Sequence, residues 1–430
     1  MGIPYKILHI KLNEGIPTLP HAPGCGVLYV VFWWHNIPLG HREISSAQLP
    51  MQAMQVANLA VQEITLSVGD KLFPEGFKAP LSEHFDCQEQ SGALEFSSLL
   101  ALERPMEKLS EVLLIREPQS ITPTVSVVIC TRDRPEQLER CLKSLQNLSH
   151  TPQEIIVVDN APSTEETLLV VSQQPECRYI LEPRPGLSAA RNTGIKNSRG
   201  SIIAFTDDDV LVHPDWVMRL KESFQNPLVM AVTGQVLPGE LETEAQLIFE
   251  TKLGNFGWGY RTRTFDQRFF RATKHLGVPV WRIGAGANMA FRRQVFELVG
   301  YFDERLGAGA SGCSEDSEIW YRILAKGWIC QYEPKAVVYH YHRRDLDGLR
   351  DQMYRYMRGH VTALMVQFGR YRHSGNLLRL LFFLPVYYFK LLLFGLLRGF
   401  GLRHKTYLQE MLGCLAGVKF YVQNRNVGDR

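Results

Sequence analysis

Four short apolar runs, separated by helix-length intervals, constrain this chain more than any other feature. They are Val125–Cys130, Glu154–Val158, Arg178–Leu181 and Ile202–Phe205. Continuous runs of that length suit strands buried on both faces, as in the middle of a parallel sheet. Between them Leu138, Cys141, Leu142 and Leu145 follow Pro135 at helical spacing, and Leu187–Asn197 reads as a second helix with Ser188 near its start. Strand and helix in this rhythm predict an α/β fold with a doubly wound, mostly parallel sheet. Such sheets gather ligand-binding residues at the carboxyl ends of their strands. The first run ends at Thr131, the second at Asp159, and the fourth at Asp207, Asp208 and Asp209.

Three adjacent carboxylates repel one another and cost stability unless a positive charge sits among them. A divalent metal carrying a diphosphate fits, because hard oxygen ligands suit Mg²⁺ or Mn²⁺. Thr131-Arg132-Asp133-Arg134-Pro135 follows the first strand and opens a helix, so Thr131 and Arg132 are candidates to hold a nucleotide. Asp159 can accept from a base N–H or a ribose hydroxyl. Arg191 and Asn192 lie on a small-residue helix, where a guanidinium is suited to a phosphate or a base carbonyl. Farther on, Ile319, Trp320, Ile323 and Leu324 mark the buried face of a helix. Ser314 is its expected N-cap, which puts Glu315 and Asp316 in the first turn.

Hydrophobic residues make up 45% of the chain and charged residues 21%, an ordinary globular balance that permits a sizeable core. The net charge of +3 is unevenly spread. From Tyr341 onward about fifteen Lys/Arg face about five Asp/Glu, an excess that suggests an anionic membrane surface rather than nucleic acid. The eight cysteines form neither a CxxC pair nor a zinc-spaced cluster, which favours core thiols in a reducing compartment. The N-terminus lacks the basic region and apolar run of a signal peptide.

Three regions are expected. Residues 1–118 form a small α+β domain of unassigned role. Gly26–Trp34 reads as a buried strand, His35–His41 as a turn, and Met51–Val61 as a helix. A polar, proline-bearing linker, Glu117–Pro123, leads to the α/β domain at 119–345. Residues 346–430 turn helical and increasingly apolar. Leu377–Phe400 is long enough to span a bilayer, but Arg379, Pro385, Lys390 and Arg398 interrupt it. An interfacial or hairpin helix pair, with those cations as one loose polar stripe, is therefore expected over a clean span, and a buried helix of a soluble domain is the alternative.

The stretch from about Thr124 to His342 resembles the glycosyltransferase family 2 domain with the GT-A fold. The resemblance rests on "SVVICTRDRPEQLERCLKSL", "EIIVVDNAPST", "RPGLSAARNTGI", "IIAFTDDDV", "GYFDERL" and "EDSEIWYRILAKGW", in family order over about half the chain. It implies an inverting transferase that uses a nucleotide-sugar donor, usually UDP-linked, and Mn²⁺ or Mg²⁺. Carried over by position, Asp159 contacts the base, Asp208 the ribose, and Asp209 the metal with Asp207 in support. Asp316, second of the Glu-Asp pair, becomes the base, and Glu315 orients it or contacts the acceptor. Gly284–Ala290, with Gly286 and Asn288, resembles the family's acceptor loop, and Trp281 before it can stack on a sugar. Some relatives place a histidine near the metal at the position of His340.

The implied acceptor is a polysaccharide or a lipid-linked glycan at the cytoplasmic side of the cell membrane, with the enzyme peripheral or monotopic. A nucleotidyltransferase shares the sheet and the carboxylates, but Thr131-Arg132-Asp133-Arg134 lacks its glycine-rich phosphate loop. A catalytically inactive glycan-binding or scaffold protein is the other alternative, and the presence of Asp209 and Asp316 speaks against it.

Overall fold

The computed structural model describes residues 5–72, 123–253 and 259–425. The expected linker Glu117–Pro123 falls largely outside them, as does Cys87. The chain divides into two compact units, Met1–Ile121 with Glu240–Thr243 and Gly259–Arg261, and the remainder.

In the first unit, strands β1 (Tyr5–Lys11), β2 (Val27–Trp34) and β3 (Ile37–Ser45) form one sheet in that order. Helix α1 (Ala53–Leu72) covers it, burying Val56, Ala60 and Ile64 with Val30 and Phe32. The turn expected over His35–His41 is shorter than that. Only His35 and Asn36 link β2 to β3, with His35 in the left-handed region at φ +50°. Pro38 is tolerated in β3 because that strand lies at the sheet's edge.

The second unit is built on a nine-stranded sheet. Its strands are β4 (Val125–Thr131), β5 (Glu154–Asn160), β6 (Cys177–Glu182), β7 (Ile202–Asp207), β8 (Val210–Val212), β9 (Val229–Pro238), β10 (Arg263–Phe265), β11 (Asn288–Arg292) and β12 (Ile329–His340). The order is β10-β12-β9-β11-β7-β4-β5-β6, with β8 on β12. The run β7-β4-β5-β6 is parallel, and β11 is antiparallel to both its neighbours.

Alternate residues of each parallel strand enter opposite cores. Val127, Ile129, Val157 and Ala204 join one, with Leu138 and Leu142 of α2 (Pro135–Leu145). Val128, Ile156, Val158 and Phe205 join the other, with Ala190 and Ile195 of α3 (Leu187–Asn197). Two buried faces are the reason these strands read as unbroken apolar runs. The register sets Thr131 opposite Asp159, and Cys130 opposite Asp207, at one edge of the sheet.

Helix α4 (Glu315–Ala325) buries Trp320, Ile323 and Leu324 in the second core. Ser314 holds the N-cap position but makes no capping bond. Its backbone is left-handed at φ +72°, and its Oγ lies 3.0 Å from Cys313 Sγ.

Helix α5 (Leu346–Tyr371) then runs beside the loop that precedes α4, with Arg358 donating to Ala310 O and Ser311 O at 2.7 Å each. The apolar stretch Ser374–Arg398 has a mean hydropathy of 2.1 and is the one helix among the described residues long and apolar enough to cross a membrane. It is continuous, with a widened π-helical turn at Arg379–Phe383 just before α6 (Leu384–Arg398). Pro385 accounts for that turn, since its ring nitrogen cannot donate to the preceding turn. The expected cationic stripe is incomplete, because Arg379 turns inward over the Trp281 ring, 3.8 Å from its centroid. Helix α7 (Tyr407–Asn424) packs back on α5, where Gly413 and Gly417 let the backbones approach. A Cβ at Gly413 would stand 2.3 Å from Tyr354 O.

Candidate functional site

The strand ends gather the carboxylates, and their partners come from elsewhere in the chain. Asp207 closes β7, and the chain reverses through Asp208 and Asp209 into β8. Thr131 Oγ1 donates to Asp208 Oδ2 at 2.8 Å. Arg134, just before α2, reaches Asp208 Oδ1 at 3.0 Å and Asp209 Oδ2 at 3.3 Å. The antiparallel β8–β12 pair sets His340 opposite Val210, so His340 Nε2 lies 3.3 Å from Asp209 Oδ1. Beyond it, His340 Nδ1 meets His342 Nδ1 at 2.9 Å.

These contacts divide the three acids electrostatically. Burial and the neighbouring Asp209 push the Asp208 carboxyl up to about 6, against the pull of Arg134. Burial also acts to raise Asp209, but His340, Arg134 and Arg343 outweigh it and hold that carboxyl well below its usual range. Burial opposes charge on His340, yet Asp209 raises it above an ordinary histidine. Asp207 is raised by burial despite Arg191.

A second cluster lies on the other side of Asp207. Arg191 of α3 is buried, with Nη1 bonded to Glu315 Oε1 and Nη2 at 3.5 Å from both Asp207 Oδ1 and Gly286 O. Gly286 lies close against this group. A Cβ there would stand 3.0 Å from Arg191 Nη2 and 3.1 Å from Asp316 Oδ2, so a side chain would crowd both. Asp316 Oδ1 accepts from the amide of Ser317 at 2.5 Å, while burial and the adjoining Glu315 push its carboxyl up to about 7. Glu315 Oε2 is buried without a hydrogen-bond partner. So is Asp159 Oδ1, although Asp159 Oδ2 accepts from Tyr179 at 3.0 Å. Buried acceptors left open are sites at which a ligand's N–H or O–H would be favoured.

Four candidates stand apart from these clusters. Asn192 brackets the backbone of Phe302, donating to its carbonyl at 3.0 Å and accepting from its amide at 2.9 Å. Asn288 is fully buried and joins three segments, accepting from Trp216 and donating to Gln235 O and Ala336 O. Its side chain braces the sheet under the Gly284–Ala287 loop instead of facing an acceptor. Trp281 lies under Arg379 and edge-on to His360, so one ring face is covered. Arg132 is exposed, 3.6 Å from Asp133.

Sequence reasoning missed Arg134 and Tyr179. The first was visible as the second arginine of Thr131-Arg132-Asp133-Arg134, but nothing local distinguishes it from Arg132. Tyr179 carries no local signal.

Among the described residues, no group of three His, Cys, Asp or Glu side chains forms a ready cage for a metal. A small hard cation needs no such cage, since it commonly takes one or two protein ligands plus water and substrate phosphate. Asp209 offers a carboxylate oxygen of that kind, and His340 Nε2 faces it at 3.3 Å.

Residues 126–300 match the family model described as "Glycosyl transferase family 2". The chain is 28% identical over 226 residues to the "Succinoglycan biosynthesis protein ExoM" of Rhizobium meliloti, covering 50% of this chain and 66% of that one. It is 27% identical over 192 residues to a "Glucosyl-dolichyl phosphate glucuronosyltransferase" of Haloferax volcanii, covering 43% and 57%. The "O-antigen biosynthesis protein RfbC" of Myxococcus xanthus is 26% identical over 252 residues, covering 56% and 19%. The chain thus spans from a fifth to just under two thirds of these relatives' lengths. Among solved structures, a mannosyltransferase from Pyrobaculum calidifontis in complex with GDP-Man and Mn²⁺ aligns at 17% identity with a TM-score of 0.43, covering 74% of this chain and 79% of that one.

Proposed function

The chain carries a glycosyl transferase family 2 domain, and on that premise we propose that it moves a sugar from a nucleotide-sugar donor to a hydroxyl of a polysaccharide or lipid-linked acceptor, with inversion. The observation that carries this reading is the meeting of two acid clusters around Arg191. Asp207–Asp209 lie on one side of its guanidinium, and Glu315 and Asp316 on the other. One cluster suits a diphosphate leaving group, and the other suits an incoming hydroxyl.

Asp159 Oδ1, open in the structure, would accept from the base of the donor. Thr131 and Arg134 hold Asp208 in place, and Asp208 would take the ribose. Asp209 and His340, with Asp207 in support, would hold Mn²⁺ or Mg²⁺. When bound, that ion supplies Lewis-acid neutralisation of the charge that develops on the diphosphate. Asp316 would accept the proton of the acceptor hydroxyl as its oxygen bonds to the anomeric carbon and the diphosphate departs from the opposite face. A carboxyl near 7 is matched to that work at neutral pH. Glu315 Oε2 would receive a second acceptor hydroxyl.

The same reading places the enzyme on an anionic membrane, at its cytoplasmic face. On α6 and its approach Leu381, Phe389 and Leu397 are exposed, and on α7 Leu408, Leu412, Leu415 and Val422 form an exposed stripe at helical spacing. Each large apolar side chain taken from water favours attachment by about 1.5–3 kcal/mol. Nearby Lys390, Arg398 and Lys419 would each add about 1 kcal/mol on an anionic surface.

The experiment is a thermal-shift and hydrolysis screen of UDP-, GDP- and other nucleotide-sugars with and without Mn²⁺. Metal-dependent stabilisation and turnover of one donor is expected. The absence of both for every donor would defeat the proposal.

A further inference from the structure

From Asp209 a chain of four side chains runs through His340 and His342 to Glu250. Asp209 Oδ1 lies 3.3 Å from His340 Nε2, the two histidine Nδ1 atoms are 2.9 Å apart, and His342 Nε2 lies 3.4 Å from Glu250 Oε2. The imidazole centroids are 4.7 Å apart, and Phe249 packs on His342 at 4.4 Å. His342 is buried, and its Nε2 makes no short hydrogen bond elsewhere. Glu250 is the acidic group paired with it.

The direction of this chain follows from donor and acceptor chemistry. A carboxylate only accepts, so Glu250 favours the proton on His342 Nε2. A neutral His342 then has its lone pair at Nδ1. Two Nδ1 atoms at hydrogen-bond distance share one proton, and that proton must come from His340. His340 is left with Nε2 as its ligand atom, on the side of Asp209. In the reverse order His340 carries its proton on Nε2, facing Asp209, and that nitrogen cannot ligate, so a cation held beside Asp209 selects the order that ends on Glu250.

We infer that Glu250 and His342 are positioning residues that fix the tautomer and orientation of His340, presenting its Nε2 beside Asp209 as a ligand for a divalent cation. The inference rests on the reading of Asp209 and His340 as the cation pair. Outer partners of a ligating histidine set its ring orientation and basicity, and their loss weakens metal binding about 10–100-fold.

The test uses the full chain and Mn²⁺ alone, titrated by electron paramagnetic resonance at fixed pH. Glu250→Ala should weaken Mn²⁺ binding about 10–100-fold, and Glu250→Asp should recover part of the loss. Melting temperature identifies any variant that fails to fold. Histidine-labelled ¹⁵N spectra of the metal-free protein supply a readout independent of the cation. His342 should be protonated at Nε2 in the wild type and mixed in Glu250→Ala. A His342 protonated at Nδ1, or wild-type Mn²⁺ affinity in folded Glu250→Ala, overturns the relay. His340→Ala separates this from the parent reading. If it binds Mn²⁺ like the wild type, or if the wild type binds none, the cation pair itself falls and the relay with it. If it loses binding while Glu250→Ala does not, only the relay falls.

Discussion

Arg191 Nη1 is bonded to Glu315 Oε1 in a pair whose side chains are 2% and 6% exposed. The bond joins α3 to the first turn of α4, and so fixes where Asp316 emerges. Removing one member of a buried pair leaves an uncompensated charge. Glu315→Ala is therefore expected to destabilise the fold by about 3–5 kcal/mol in urea denaturation. An unchanged midpoint would mean that the pair does not tie these helices together.

Asp316 gives a different signature. Asp316→Asn should retain donor binding and lower transfer at least about a hundredfold, the low end of general-base contributions. Because the carboxyl is raised to about 7 and the base is its ionised form, the rate should climb with pH and level off above about 7. The stability consequence has the opposite sense. Between the ordinary value of 3.8 and about 7 the native state keeps a proton that the unfolded chain has released. This group's contribution to stability should therefore fall as pH rises through that window, and Asp316→Asn should remove that slope from melting temperatures recorded against pH.

Asp209→Ala should abolish the part of nucleotide affinity that depends on Mn²⁺ while leaving the protein folded, at a melting temperature lowered by the loss of the pairs with His340 and Arg134. Calorimetry of UDP or GDP with and without the ion measures this. Equal Mn²⁺ dependence in variant and wild type would remove Asp209 from the metal site.

Membrane attachment is best tested by surface substitution, because a truncation after Asn376 would cut beside a buried side chain that donates to Tyr321 Oη at 3.2 Å. Leu381, Leu397 and Leu415 are 72%, 72% and 69% exposed. Changing all three to Glu should spare the fold and donor hydrolysis but release the protein from anionic liposomes in flotation. Flotation equal to wild type would exclude this surface.

Where the sequence was informative, the reason is local. The strands of the parallel half lie between two helical layers, so each is an unbroken apolar run, and the helix expected at Leu187–Asn197 has those limits in the structure. The polar residue that ends each run marks the sheet edge. Roles set by distant partners were not legible. Arg134 meets acids more than seventy positions away, and Arg132 beside it meets only Asp133. Asn192 and Asn288 read as ligand-binding amides, yet backbone groups far along the chain occupy them. Trp281 read as a sugar platform, and the arginine over it comes from the apolar helix.

Helix α5 is met by bare backbone at two points along its length. A Cβ at Gly359 would stand 2.6 Å from both Cys313 N and Cys313 O, and one at Gly417 would stand 2.6 Å from Arg358 O. Contacts of backbone on backbone have no soft layer to absorb a shift. The loop before Asp316, α5 and α7 should therefore open together or not at all. Amide hydrogen exchange would report one shared opening free energy across residues 307–325, 346–371 and 407–424, and a single added methyl at Gly359 or Gly413 would lower it for all three.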